Sequence, residues 1–338
     1  MRLRAYAGLA LPALIIVVLA MTAAACGGRS SDDNAAAASG DNSSSTAASE
    51  EDLSGKIQVD GSSTVGPLTT AAAELFREQQ PDVNVTVGIS GTGGGFERFC
   101  AGETDISDAS RPIDPEEEAP VCKEAGIEYT QLQVAVDALT VVVNPQNDWV
   151  DCLTTKQLNA IWKPGSEVKS WADVPGGDYP DETMELAGPG TDSGTFDYFT
   201  EEINGEEGAS RSDYTASEDD NVIVKAVEGA KGALGYFGYT YYEENQDKLK
   251  ALAVDGGNGC VEPSKETAQD GSYSPLSRPL YIYVKNDSMK KPEVAAFLRY
   301  YFDNLDSIVE LAQFISEPEN EVAKEQGKLE QALSQAGA

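Results

Sequence analysis

Three short runs of small, hydroxyl-bearing residues could do chemistry: Asp60-Gly-Ser-Ser-Thr-Val65, Ser90-Gly-Thr-Gly-Gly-Gly95 and Gly190-Thr-Asp-Ser-Gly-Thr-Phe196. Each follows a strand-like run and opens a helix-like one. A helix start carries unpaired backbone N–H groups and the positive end of its dipole. Glycine lets an anion approach that backbone, and serine and threonine hydroxyls add donors. Any one of these loops is also an ordinary helix cap. Three in one chain point to a small tetrahedral oxyanion surrounded by several helix starts. A fourth run, Asp105-Ile-Ser-Asp-Ala-Ser-Arg-Pro112, supplies Arg111. Its planar fork can hold two oxygens at once; the competing role is an ion pair with Asp108 or Asp114.

Composition removes other chemistries. The chain has no histidine, which excludes Ser-His-Asp catalysis and histidine metal sites. No acidic cluster has convincing metal spacing, so neither a metal nor a cofactor is expected. A net charge of −33 excludes capture by nucleic acid or an anionic membrane surface through bulk charge. Oriented dipoles and a close arginine must therefore act against a repulsive background. The Ser90–Gly95 run lacks a clear GxGxxG register, and no GxxxxGK[ST] occurs, so neither a dinucleotide fingerprint nor a P-loop is present.

The elements that must position these loops alternate. Strands are expected at Lys56–Asp60, Val83–Val87, Asp105–Ser107, Ala138–Val143, Gly232–Tyr239 and Pro279–Val284. Helices are expected over 66–79, from Phe96, over Thr155–Trp162 and Asn221–Lys231, and continuously from Pro292 to the end. Phe297, Tyr300, Tyr301 and Phe314 are core candidates in that last stretch. This pattern is an α/β fold, and 338 residues suggest two lobes.

Ahead of the folded part, Arg2 and Arg4 precede an uncharged run from Ala5 to Ala25, then Cys26 and Gly27. That is the layout of a signal peptide over residues 1–25, with Cys26 as a lipidated mature N-terminus in the manner of a bacterial lipobox. The alternative is an uncleaved anchor helix. Either one places the domain outside the cytoplasm, on the outer face of the cell membrane. Residues 26–52 hold no large apolar side chain and are expected to be a flexible linker to a bilayer anchor. Four further cysteines in an exported chain favour disulfides. Of three pairings, Cys100–Cys122 with Cys152–Cys260 is preferred, the first closing a short local loop. A four-cysteine metal site lacks any CxxC.

Taken in order, the four motifs resemble the periplasmic or lipid-anchored phosphate-binding proteins of high-affinity phosphate ABC transporters, over about Ile57 to Phe314. The resemblance implies a type II periplasmic-binding-protein fold. Two α/β lobes would be joined by crossovers near Val136–Leu139 and Ser277–Leu280, with the ligand cleft between them. Lobe one would be 53–137 plus 279–338, and lobe two 138–278. It also implies donors from Ser63, Thr64 and the Val65 amide, from Ser90 and Thr92, and from Ser193, Gly194 and Thr195. The best-known members carry an arginine four residues before the Ser-Gly-Thr serine, where this chain has Pro189. They also carry a ligand-contacting aspartate where this chain has Ser110, with Arg111 following. The chain therefore looks like a Ser-Arg-Pro subgroup in which Ser110 and Arg111 serve the ligand.

A carboxylate that accepts the proton of hydrogen phosphate would favour it over sulfate. Asp60, Asp137 and Asp192 are the candidates. The partners implied are inorganic phosphate and membrane permease subunits, for a monomeric, non-catalytic receptor. The alternatives are a receptor for sulfate, molybdate or tungstate, an exported phosphatase, and an adhesion or signalling protein reusing the fold.

Overall fold

The computed structural model describes residues 53–338, so the leader, Cys26 and the linker lie outside the described residues. The chain opens with β1 (Gly55–Gly61), α1 (Gly66–Gln79), β2 (Val83–Ile89), α2 (Gly91–Cys100), β3 (Ile106–Ala109), α3 (Glu118–Glu124) and the long β4 (Tyr129–Val143). It continues through β5 (Cys152–Thr154), α4 (Thr155–Trp162), β6 (Glu185–Gly188), α5 (Gly194–Phe199), β7 (Thr215–Ala216), α6 (Asp220–Gly229) and β8 (Ala233–Gly238). Then come α7 (Tyr239–Glu244), β9 (Lys250–Ala251), β10 (Ala253–Asp255), β11 (Cys260–Val261) and α8 (Lys265–Gln269). Strand β12 (Ser277–Lys285) returns to the first sheet, followed by α9 (Pro292–Asp303), α10 (Leu305–Leu311) and α11 (Glu319–Ala336).

The main sheet runs β2-β1-β3-β12-β4-β8-β6-β7, with β9 also on β4. β4 changes partners part-way. Up to Ala138 it pairs antiparallel with β12; from Leu139 to Val143 it pairs with β8. Its continuous apolar run suits a strand covered on both faces. On the β12 side of that switch, Ile57, Phe76, Leu132, Ile282, Phe297 and Tyr301 share one buried cluster. On the β8 side, Leu139, Trp162, Trp171, Phe199, Tyr236 and Leu276 share another.

Two expectations are corrected. Helix α2 begins at Gly91, not Phe96, so the glycine run is its first turn. A Cβ on Gly95 would lie 2.5 Å from the Gly61 Cα, so glycine is what lets this turn pack on the end of β1. The C-terminal stretch is not one helix. Gln313 takes φ 60°, and Ile315 then exchanges backbone bonds of 2.9 and 3.0 Å with Val136, pinning the chain to β4. Phe297 and Tyr301 are fully buried; Tyr300 and Phe314 pack at the edge of the same cluster.

The described cysteines pair as Cys100–Cys122 and Cys152–Cys260. The first ties α2 to α3, and the second ties β5 to β11.

At the start of β3, Asp105 accepts from the Gln58 amide (3.0 Å), Ser288 Oγ (2.6 Å) and Lys291 Nζ (2.7 Å). Burial alone would raise its carboxyl, but these partners outweigh burial and hold it below the usual range. A lowered folded value contributes stability above the ordinary aspartate range and loses it as pH falls through the folded value. Asp105→Asn is therefore expected to be less stable than the parent near pH 7. The gap should close in acid, as urea unfolding at about pH 7 and pH 3 will show.

Candidate functional site

The first loop is shaped by its own serine. Ser62 Oγ accepts from the Thr64 amide (3.1 Å) and the Val65 amide (3.4 Å) where α1 begins. Val65 is fully buried, and its amide is aimed at Ser62. Thr64 keeps its hydroxyl toward the cleft, where Arg278 Nη2 donates to its Oγ1 at 2.8 Å. In the second loop Ser90 Oγ donates to Asp60, while the Thr92 and Ser110 hydroxyls meet at 3.0 Å. The Ser110 amide also donates to Thr92 Oγ1 (3.2 Å), which locks α2 to the loop after β3.

Arg111 carries its guanidinium on Glu118, with Nη1 and Nη2 each donating at 2.8 Å. This pair replaces the Asp108 or Asp114 partner considered from sequence. Burial alone would raise the Glu118 carboxyl, yet the Arg111 fork and the Asp114 amide outweigh it and hold it below the usual range. From across the cleft, Ser193 caps α5 by accepting from the Thr195 amide (3.2 Å). Ser63 Oγ reaches over to donate to Asp197 at 3.0 Å.

These residues surround a hollow of about 280 Å³. Ser63, Thr64, Ser90, Thr92, Ser110 and Arg111 line it from one side, and Asp197, Tyr198, Glu201 and Glu207 from the other. Ser193, Gly194 and Thr195 line an adjoining hollow of about 310 Å³ that shares Ser63 and Thr64. The first loop thus borders both hollows, with the second loop on one and the third on the other. Of the acceptor candidates, Asp60 is buried and taken up by Ser90 and by Arg98 Nη1 (2.5 Å). Asp192 is exposed, its amide turned to Glu218. Asp137 lines the adjoining hollow; burial pushes its carboxyl up, opposed by Arg278.

Sequence reasoning missed Arg278, which lies opposite Asp137 in the β12–β4 register. Its Nε donates to Asp137 Oδ2 at 3.3 Å, and its guanidinium sits 3.5 Å from the centre of the Tyr198 ring. Both charged side chains are largely shielded, at 12% and 6% exposure. A lone arginine near the start of an otherwise largely apolar strand was the signal that could have found Arg278, whereas Asp137 was among the acceptor candidates already.

A family profile described as a PBP superfamily domain matches residues 45–304. The chain belongs to that superfamily. Among curated relatives of this PBP, Protein SphX of Synechococcus elongatus is 47% identical over 265 residues, 78% of this chain and 77% of the relative. The phosphate-binding protein PstS of Staphylococcus saprophyticus is 40% identical over 281 residues, covering 82% and 86%. A crystal structure of a possible phosphate binding protein from Planctomyces limnophilus matches with a TM-score of 0.80 and 48% identity, covering 83% of this chain and 99% of that one. The PBP fold here is therefore the type II arrangement. No helix among the described residues is long and apolar enough to cross a membrane.

Proposed function

We propose that this PBP is the extracytoplasmic phosphate-binding component of a phosphate ABC importer, capturing inorganic phosphate in the 280 Å³ hollow and handing it to permease subunits. One observation carries the reading: hydroxyls of the first and second loops and of Ser110 meet two guanidiniums, Arg111 and Arg278, around one small polar space, and the third loop lines the hollow next to it. The names of the 40% identical relative and of the 48% identical crystal structure support it. We place lobe one at 53–137 plus 279–338 and lobe two at 138–278, where β4 changes partners. Cys26 would carry the lipid anchor, and the receptor would act as a monomer.

The physical logic is differential binding. Ser63, Thr64, Thr92, Ser110 and Arg111 come from one lobe; Ser193 and Thr195 come from the other, with Arg278 at the crossing. Only the closed state offers donors from both sides, so an anion that uses both shifts the population toward closure. The reading is of a receptor, so capture without turnover is the expected outcome even though Ser63 donates to Asp197 in the hollow.

Calorimetric titration with phosphate, with sulfate as competitor, tests the assignment. Arg111→Ala is expected to weaken phosphate binding about 30-fold, in keeping with the loss of hydrogen bonds to a charged group, while the thermal transition stays in place. Parent-like affinity in Arg111→Ala, or tighter binding of sulfate, molybdate or tungstate, would overturn the reading. A chromogenic phosphate ester should show no turnover.

A further inference from the structure

The charge around the hollow does not balance for a dianion. Arg111 and Arg278 face it, but each already has a carboxylate of its own, Glu118 and Asp137. Lobe two then adds three more: Asp197 from α5, Glu201 from the turn that follows, and Glu207 from the next loop. Glu202 stands beside them. These acids share the pull of two guanidiniums that are already paired: Asp197, Glu202 and Glu207 feel Arg278, and Glu201 acts on Arg111. Asp197 is half-buried and Glu201, Glu202 and Glu207 are exposed at the rim; like charges gathered this closely disfavour the entry of a further double negative charge.

The cluster itself shows the same tension. Burial pushes the Asp197 carboxyl up, opposed by Ser63 and Arg278. Burial and the charges of Asp197 and Glu201 push Glu207 up, and burial and Glu201 push Glu202 up. Tyr198, packed on Arg278, stays neutral because burial raises its phenol well above the ordinary value. No group of three or more acidic or sulfur ligands among the described residues is arranged to hold a metal ion, so a bound cation is not the available counter-charge.

Resting on the phosphate reading above, we propose that phosphate enters this hollow together with one proton. The proton comes from solvent and is held among Asp197, Glu207 and the ligand. The closed complex then holds one proton more than the hydrogen phosphate dianion and free protein that formed it. No bond other than that O–H forms, and the charge added to the cavity falls from two to one. Import through this receptor would favour slightly acidic surroundings and weaken in alkali.

Calorimetry of the whole chain with inorganic phosphate near pH 8.5, where the free ligand is the dianion, reads this directly. Repeating the titration in buffers of different ionisation enthalpy gives the proton count. The expected result is about one proton taken up per phosphate, with affinity falling about tenfold per pH unit above that point. In a variant carrying Asp197→Asn, Glu201→Gln and Glu207→Gln, the count is expected to drop toward zero. The exposed single variants Glu201→Gln and Glu207→Gln give a partial drop should the triple variant fold poorly. Phosphate binding by the parent with no proton uptake, or an unchanged count in the folded variants, overturns this inference alone. Absence of phosphate heat at both about pH 6 and pH 8.5 overturns the functional reading, and this inference with it.

Discussion

Arg278→Ala is expected to weaken phosphate binding about 100-fold or more and to destabilise the free protein by about 3 kcal/mol, the range seen when one member of a buried charge pair is removed. The two losses have different origins. Stability falls because Asp137 is left charged and shielded at 6% exposure, its one described cation gone and only a backbone contact remaining. Affinity falls because the guanidinium joins three parts of the site: the Thr64 hydroxyl at 2.8 Å, strand β4 through Asp137, and the Tyr198 ring at 3.5 Å. Adding Asp137→Asn separates them. The double variant Arg278→Ala/Asp137→Asn should regain most of the stability in urea unfolding, since no uncompensated charge remains, yet stay weak in calorimetry. Recovery of affinity in the double variant would mean that Arg278 serves the fold and not the ligand.

Why Arg278 was hard to read from sequence is a matter of distance along the chain. The three loops were legible because each is local: a strand end, glycine and hydroxyl residues, then a helix start within a few positions. Helix α1 over Gly66–Gln79 and helix α4 over Thr155–Trp162 fall where their own periodicity puts them. The facing of Arg278 depends instead on pairing with Asp137, 141 residues earlier, in a register that shifts at Leu280/Tyr281. A one-residue slip in that register would turn the side chain to the other face of the sheet. The same reason hid the break after α10, which exists because Ile315 finds Val136 across the molecule. The acidic lining of lobe two was also silent. Asp197, Glu201 and Glu207 belong to no motif singled out in the sequence, and only the fold brings them to the hollow that Arg111 and Arg278 line.

Gly194 offers the cleanest separation of folding from closure. It is the first residue of α5, directly after its Ser193 cap, and its backbone is not left-handed, so a side chain there carries no intrinsic strain. Its surroundings are what forbid one. A Cβ would lie 2.8 Å from Thr64 Oγ1 and 3.1 Å from both the Thr64 Cα and its amide nitrogen. In the lobe assignment proposed above Thr64 belongs to the opposite lobe, so that clash would exist only while the lobes are together. Gly194→Val should therefore fold with a thermal transition close to the parent's, and its open state should be undisturbed. Closure, however, would require Thr64 backbone to move. The expected result is a loss of phosphate affinity of about 100-fold, which corresponds to removing roughly 3 kcal/mol of closed-state preference. Small-angle scattering should show that the parent becomes more compact on adding phosphate and the variant does not. An affinity within threefold of the parent would mean that the Thr64–Gly194 contact does not accompany ligand capture. A lowered thermal transition without loss of binding would place Gly194 among the folding determinants instead.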